Sequence, residues 1–210
     1  MISEYKSFGK YQKIVGLDEA GRGPIAGPVV AAAVILHPNT KIPRLNDSKK
    51  LSASEREKLF KIIIREAVDY SISAVDSEKI DQINILQASF LAMQKCLDKL
   101  EILPDYLLVD GPYLPTKSND FILKFPAKPI IRGDGKYFCI AAASILAKVY
   151  RDNLMMDFHE KYPQYDFKSH KGYPTKKHIE AINNFGISPI HRKTFAPVRK
   201  KIKGELSQKV

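Results

Sequence analysis

Four acidic residues share one feature, because each stands where an apolar segment that we predict as a β-strand comes to an end: Asp18, Glu19, Asp110 and Asp134. In an open α/β sheet, functional groups gather in the crevice at the strand ends. Carboxylates brought together there repel one another unless cations lie between them. Hard oxygen ligands suit Mg²⁺ or Mn²⁺. Two such ions about 4 Å apart could activate a water and stabilise the leaving oxygen in phosphodiester hydrolysis.

A simpler interpretation stays open for each acid taken alone, since aspartates often cap helices and form turns. Asp18 and Glu19 raise a further question, because adjacent residues on a strand point to opposite faces of the sheet. For both to reach one site, we expect a twist or bulge in this strand, which the glycines that follow could provide.

A glycine-rich turn, G-R-G-P at 21–24 with Gly27 close behind, follows the first acidic pair. Missing side chains let such a turn approach a ligand closely. A dinucleotide-binding loop is disfavoured, because the spacing is G-x-G-x-x-x-G, Pro24 interrupts a helix start, and a strand follows. The chain also lacks the G-K-[ST] ending of a nucleotide-triphosphate loop and the G-x-S-x-G elbow of a serine hydrolase. A tight turn without a chemical role remains an alternative.

The elements that must position these residues are strands alternating with helices. Apolar runs and alternation predict strands over 13–18, 27–36, 70–75, 105–111 and 129–132. Helical spacing predicts helices from Ser52 or Ser54 to about residue 67, over 86–100, over 138–161 and over 175–185, with 76–84 a polar connection. The fold class is therefore α/β, a mixed sheet flanked by helices in one catalytic core. We expect this core over 1–157 and a basic helical C-terminal subdomain packed on it over 158–210.

Composition and charge narrow the class of protein. The chain has 210 residues and a formal net charge of +11. Residues 158–210 hold 12 basic and 4 acidic side chains, which suits contact with a phosphate backbone, although a solvated surface is the alternative. No apolar run approaches the roughly 20 residues of a membrane helix, so no membrane association is expected. The two cysteines, Cys96 and Cys139, form no disulfide framework, and we expect a cytoplasmic protein.

Several separated motifs, taken in order, resemble the bacterial ribonuclease HII family, the type 2 ribonucleases H. The similarity runs from about residue 12 to 198. The motifs that carry it are D-E-A-G-R-G-P-I-A-G-P-V at 18–29, N-D-S-K-K-L-S at 46–52, Asp110-Gly111, G-D-G-K at 133–136 before the long helix, and S-H-K-G-Y-P-T at 169–175 with His178.

The resemblance implies a ribonuclease H-like fold with a helical C-terminal extension. It also implies an endonuclease that acts on RNA–DNA hybrids and on single ribonucleotides in duplex DNA, with two divalent ions, Mn²⁺ or Mg²⁺. Carried over by position, the metal-binding carboxylates and catalytic residues are Asp18, Glu19, Asp110 and Asp134. The residues expected to bind substrate are Gly21, Arg22 and Gly23 around the ribose 2′-OH, Tyr173 on the sugar at the junction, and Lys49 on a phosphate.

Two other functions remain to be distinguished. A non-catalytic hybrid binder would use the same groove but lose one or more acids, and all four are present. A type 3 ribonuclease H would carry an added N-terminal domain, for which the short lead before the first strand leaves no room. We expect a monomer. His170, His178 and His191 are interpreted as structural or phosphate-facing rather than as metal ligands, because an oxygen-rich site prefers hard ions.

Overall fold

The computed structural model describes residues 3–45, 51–114 and 124–207, with side chains to residue 204. Within these ranges, five strands form one mixed sheet in the order β3-β2-β1-β4-β5. The strands are β1 (Ile14–Ala20), β2 (Val29–Leu36), β3 (Ala67–Val75), β4 (Tyr106–Asp110) and β5 (Ala127–Ile130). β2 is antiparallel to both β1 and β3, whereas β4 runs parallel to both β1 and β5. The predicted mixed α/β sheet is confirmed.

Helices cover both faces of this sheet. They are α1 (Glu4–Phe8), α2 (Ala53–Glu66), α3 (Ser77–Ile83), α4 (Ile85–Leu97), α5 (Phe138–Lys161), α6 (Phe167–His170), α7 (Lys176–Phe185) and α8 (Ala196–Ser207). Of the two serines proposed as the start of α2, Ser52 is the N-cap, and it forms a capping box with Glu55. In the described part of the chain, no helix is both long enough and apolar enough to span a bilayer.

The central strand β2 separates two apolar layers by simple alternation. Val29, Ala31, Ala33 and Ile35 face the cluster that contains α4. The alternate residues Val30, Ala32, Val34 and Leu36 face the cluster that contains α2 and the alanine-rich first half of α5. All eight residues of β2 are buried, as expected for a strand with both faces covered. This packing fixes which face each neighbouring residue of β1 occupies.

The C-terminal residues form a separate apolar cluster around Phe167, Ile182 and Val198, which also takes in Ile25, Ala26 and Met155. Residues 158–210 therefore contact the glycine-rich turn of β1–β2. Helix α5 runs without a break through position 157. The division into 1–157 and 158–210 stays a prediction.

The segment 76–84 is not a plain polar connection, because α3 occupies Ser77–Ile83. Its N-cap Asp76 accepts a hydrogen bond from the Lys79 N–H at 2.8 Å, and Ile80 is fully buried. Of the twist or bulge expected in β1, the bulge is absent, since the pairing of β1 with β2 is regular from Val15 to Ala20.

Candidate active site

Two acidic side chains lie side by side at the ends of neighbouring parallel strands. Leu17 of β1 is paired with Val109 of β4, so the next residues, Asp18 and Asp110, are adjacent at the same sheet edge. Asp18 is on the face that carries α5, where the Ser144 hydroxyl hydrogen-bonds to its carboxylate. The sequence pattern predicts that the Ser144 hydroxyl bonds to the preceding helical turn, and its contact with Asp18 was not predicted.

Glu19 reaches the same region from the opposite face of β1. With no bulge, its side chain lies on the α4 side, where a small cavity is lined by Glu19, Arg22, Leu86, Phe90 and Asp110 among others. Asp110 interacts electrostatically with both Asp18 and Glu19. Asp18 and Glu19 project from opposite faces of β1, and Asp110 lies beside both carboxylates at the strand end. No bulge is needed to bring the three acids near one another.

The electrostatics of this corner are those of crowded, desolvated acids. Burial, and then the negative charges of Glu19 and Asp110, raise the pKa of Asp18 well above its usual value. Burial also raises the pKa of Glu19, although the Arg22 guanidinium opposes this effect. The Arg22 Nη1 lies 3.2 Å from the Glu19 Oε1. Such a corner favours a bound cation, because positive charge would relieve both the repulsion and the desolvation.

Asp134 follows β5 in a tight turn that contacts Asp110. The Gly133 N–H donates to the Asp110 Oδ1 at 2.6 Å, and the Asp134 N–H lies at 3.4 Å from the same oxygen. Asp134 is itself buried. The turn therefore brings Asp134 to the strand end that carries Asp110, as the glycines on either side of it suggest.

The donor set fits a hard divalent cation in chemistry, since all four candidates offer carboxylate oxygens. In the ranges that the structure describes, no three histidine, cysteine or acidic side chains already form a metal cage. These acids are thus neighbours at one corner rather than a closed site, and we place them as candidate ligands on charge, burial and position.

The glycine-rich turn leaves β1 directly after the acidic pair. Gly21 has φ +101°, a conformation that disfavours residues with a side chain, and a Cβ there would overlap the side chain of Arg151. The Ile25 N–H donates to the Gly172 carbonyl at 2.9 Å, and the Gly27 N–H donates to the Ile190 carbonyl at 2.8 Å. Residues far apart in sequence therefore hold this turn in place.

Tyr173 lies against the same turn. A Cβ built on Gly23 would be 3.3 Å from the Tyr173 Cε1, so the ring stands beside the glycine. The ring keeps 44% of its surface exposed. The structure thus places Tyr173 beside the 21–23 turn, and the Arg22–Glu19 ion pair joins that turn to the acids. The predicted contact residue Lys49 lies outside the described residues.

Three histidines support the Tyr173 segment from inside. The His178 Nδ1 lies 2.8 Å from the Tyr173 carbonyl oxygen, and the His170 Nε2 lies 2.7 Å from the Tyr165 carbonyl oxygen. His178 and His191 are almost completely buried. Their structural role agrees with the interpretation from the sequence, which gave no indication of which contacts they make.

Comparison with known proteins identifies the family. A family model described as ribonuclease HII matches residues 15–198. The ribonuclease HII of Endomicrobium trichonymphae is 54% identical over 90% of this chain and 87% of its own length. The ribonuclease H2 structure from Pyrococcus horikoshii OT3 superposes with a TM-score of 0.77 at 29% identity, and covers 91% of this chain and 98% of its own.

A more distant solved structure shares the fold alone. The Bst ribonuclease HIII in complex with Mn²⁺ gives a TM-score of 0.66 at 16% identity, over 91% of this chain and 69% of its own. All three comparisons cover about nine tenths of this chain, but the first two proteins are 54% and 29% identical to it and this one is 16% identical. On these matches, the chain belongs to the ribonuclease HII family, endoribonucleases that hydrolyse the RNA strand of RNA–DNA hybrids.

Proposed function

We propose that this endoribonuclease also cuts on the 5′ side of single ribonucleotides embedded in duplex DNA, with two divalent ions held by its acidic corner. The observation that carries the proposal is the burial of Asp18 beside Glu19 and Asp110. The glycine turn, with Tyr173 against it, follows these acids at the end of β1. The acidic side chains, which need a cation, lie at one edge of the sheet. The backbone turn that can approach a sugar lies at the same edge.

The acids Asp18, Glu19, Asp110 and Asp134 would hold the two ions, Mg²⁺ or Mn²⁺. When bound, a pair of such ions can activate a water and stabilise the leaving oxygen. In the reaction, a bond forms between the water oxygen and phosphorus while the bond from phosphorus to the 3′ oxygen breaks. The products are a 3′-OH and a 5′-phosphate, with protons passing from the water to solvent and from solvent to the 3′ oxygen.

Recognition of ribose would fall to the turn at Gly21, Arg22 and Gly23. The 2′-OH distinguishes RNA from DNA because it can donate and accept a hydrogen bond. In the described part of the chain, the N–H groups of Arg22 and Gly23 donate to no backbone carbonyl, and so they are available to a ligand. The half-exposed ring of Tyr173 would stack on the sugar at the ribo–deoxyribo junction.

Contacts to the phosphate backbone would come from the exposed basic residues of 158–210, which excludes the buried Arg192, and from Lys49. We propose that the enzyme acts as a monomer. We also propose that it works in the cytoplasm, where its two free, buried cysteines stay reduced.

The test compares cleavage of three matched duplexes that carry one ribonucleotide, four ribonucleotides or a full RNA strand. We expect cleavage of all three with Mg²⁺ or Mn²⁺ and none with a chelator. Asp110→Asn is expected to lower the rate by at least about 100-fold while binding is largely kept, because the acids hold ions and the basic surface holds the duplex.

The matched control is Asp157→Asn, which removes an exposed carboxylate from α5 and should leave the rate unchanged. Cleavage of the full RNA strand without cleavage at a single ribonucleotide would overturn the proposed junction activity. Cleavage that persists in chelator, or in Asp110→Asn, would overturn the role of the acids.

A further inference from the structure

Two arginine side chains lie in the interior of the protein next to the glycine turn. Arg192 is 0% exposed and Arg151 is 1% exposed. In the described ranges, neither forms a salt bridge with a carboxylate. The charge of Asp152 acts on Arg151, and that of Asp81 acts on Arg192, only from beyond salt-bridge distance. Direct hydrogen bonds to neutral groups must therefore offset much of the cost of burying these cations.

The acceptors of the Arg192 guanidinium, and two of the three acceptors of Arg151, are backbone carbonyl oxygens of the segment 21–28. The third acceptor of Arg151 is the Lys171 carbonyl, at 3.0 Å from its Nη1. Arg192 donates through its Nε, Nη1 and Nη2 to four of them: Gly21 at 2.7 Å, Pro24 at 2.7 Å, Gly27 at 3.0 Å and Arg22 at 3.2 Å. Arg151 donates to the Pro28 oxygen at 2.9 Å and to the Ala26 oxygen at 3.2 Å. The backbone N–H of Arg192 binds the Ile25 carbonyl at 2.9 Å.

These contacts orient the turn. Seven carbonyl oxygens between positions 21 and 28 accept hydrogen bonds from the protein interior, so their partial negative charge is turned away from the surface where a phosphodiester would bind. The N–H groups of Arg22 and Gly23 remain as donors. The Gly23 oxygen is the exception, so a turn held in this way presents mainly donors, which suits a ribose hydroxyl and its phosphate.

We propose that Arg192, supported by Arg151, is a positioning residue that fixes the 21–28 turn for recognition of ribose. The inference rests on the proposed contact between this turn and the 2′-OH. Arg192 acts through the turn and touches no reacting atom. It determines specificity because it sets the distance and direction of the donors at Arg22 and Gly23.

Lysine cannot replace arginine in this role. A guanidinium offers five donors in a rigid planar fork, whereas an ammonium offers three on a flexible stem. Arg192→Lys therefore keeps a long basic side chain but leaves carbonyl oxygens of the turn without a partner.

The experiment measures kcat and KM on a duplex with one ribonucleotide, and the affinity, in chelator, for that duplex and for the same duplex made entirely of DNA. For Arg192→Lys, we expect kcat to fall at least about tenfold with KM changed by less than about threefold, because misplaced donors cost rate more than binding. We expect the preference for the ribonucleotide duplex to fall towards equal binding. Arg151→Lys should show a smaller change of the same kind.

The control is Arg65→Lys, which changes an exposed arginine of α2 whose Nε lies 2.9 Å from the Glu66 Oε1. This variant should keep both the rate and the preference. If Arg192→Lys keeps kcat and preference within about twofold of wild type, or loses rate only in proportion to its unfolded fraction, the positioning role is wrong. A wild type that does not cleave at a single ribonucleotide would instead overturn the proposed function.

A measurement on the wild type covers the case in which Arg192→Lys does not fold. The Nε–H signals of Arg151 and Arg192 in ¹⁵N NMR should be sharp and slow to exchange, because both groups are buried. They should shift more on addition of the ribonucleotide duplex than on addition of the all-DNA duplex. Equal shifts with both duplexes, or none with either, would overturn the inference.

Discussion

The Nε2 of His178 lies 3.0 Å from the Nε2 of His191, and both rings are buried. The surrounding acceptors assign the protons in this pair. The Nδ1 of His178 must donate to the Tyr173 carbonyl, which leaves its Nε2 to accept from the Nε2–H of His191. The Nδ1 of His191 then accepts from the Ser188 N–H at 2.9 Å. This arrangement needs both imidazoles neutral, and it supports Tyr173 from below.

The first prediction concerns acid stability. Burial lowers the pKa of His178 and of His191 to about 4, from 6.5. The unfolded chain therefore binds more protons than the folded chain between pH 6.5 and 4. The free energy of unfolding should fall as the pH drops through this range. Below pH 4, these two groups should cause no further loss. A shift from 6.5 to about 4 corresponds to a loss of unfolding free energy on the order of 3 kcal/mol per histidine over this pH range.

Urea unfolding at several pH values between 7 and 4 measures this effect. His178→Asn should flatten the dependence relative to wild type, while His37→Gln, a change on an exposed histidine, should not. Equal slopes for wild type and His178→Asn would contradict the assignment of a neutral, buried His178.

The second prediction concerns the cost of the acidic corner. Asp18→Asn should raise the free energy of unfolding in chelator by about 1 kcal/mol or more, because it removes a buried negative charge beside Glu19 and Asp110. The same change should abolish cleavage. Thermal unfolding in EDTA, with Asp157→Asn as the control, measures the gain. A loss of stability in EDTA would mean that the hydrogen bond from Ser144 outweighs the repulsion.

The third prediction separates backbone strain from steric overlap. Gly21 and Gly186 both have positive φ, +101° and +76°, but only a Cβ at Gly21 meets other atoms. Gly186→Ala should cost about 1 to 3 kcal/mol and keep activity, since it adds strain alone, at φ +76° and ψ −158°. Gly21→Ala should cost roughly 1 to 3 kcal/mol more, since it displaces Arg151, and should inactivate the enzyme. Similar losses of stability and activity in both variants would show that the contact with Arg151 is unimportant.

The fourth prediction concerns the ring of Tyr173. Tyr173→Phe keeps the stacking surface, so kcat/KM on a single-ribonucleotide duplex should stay within about threefold of wild type. Tyr173→Ala should lower it by about 10- to 100-fold, because stacking contributes roughly 1 to 3 kcal/mol. Tyr70→Ala on the edge strand β3 removes a comparably exposed ring and should have no effect. Full activity in Tyr173→Ala would remove this residue from the substrate site.

Much of the fold can be predicted from the sequence, because in most elements the local spacing of apolar residues matches the side chains that are buried in the structure. The run of eight apolar residues in β2 and the regular spacing along α4 predict both elements correctly. Helix α3 was missed because only Ile80 and Ile83 interrupt its polar residues, and Asp76 there suggests a turn as readily as a cap. Strand β3 begins at Ala67, directly after α2, where no glycine or proline marks the change.

The acidic corner could be located from strand ends alone, but its arrangement could not. Alternation on β1 indicates a conflict between Asp18 and Glu19, and only the position of Asp110 resolves it. No sequence pattern indicates that Arg192 is buried, because a basic residue in a basic segment is predicted to lie on the surface. One of the 12 cations counted there as a candidate for phosphate contact is in fact completely enclosed.

The enclosed guanidinium groups have a consequence for protein engineering. The motif D-E-A-G-R-G-P is short enough to graft onto another sheet, yet its Gly21, Arg22 and Pro24 oxygens are held by Arg192, more than 160 residues away along the chain. A transplanted heptapeptide would leave those oxygens to water and relax into other conformers. A graft of this turn that keeps its conformation therefore has to include the distant arginine as well.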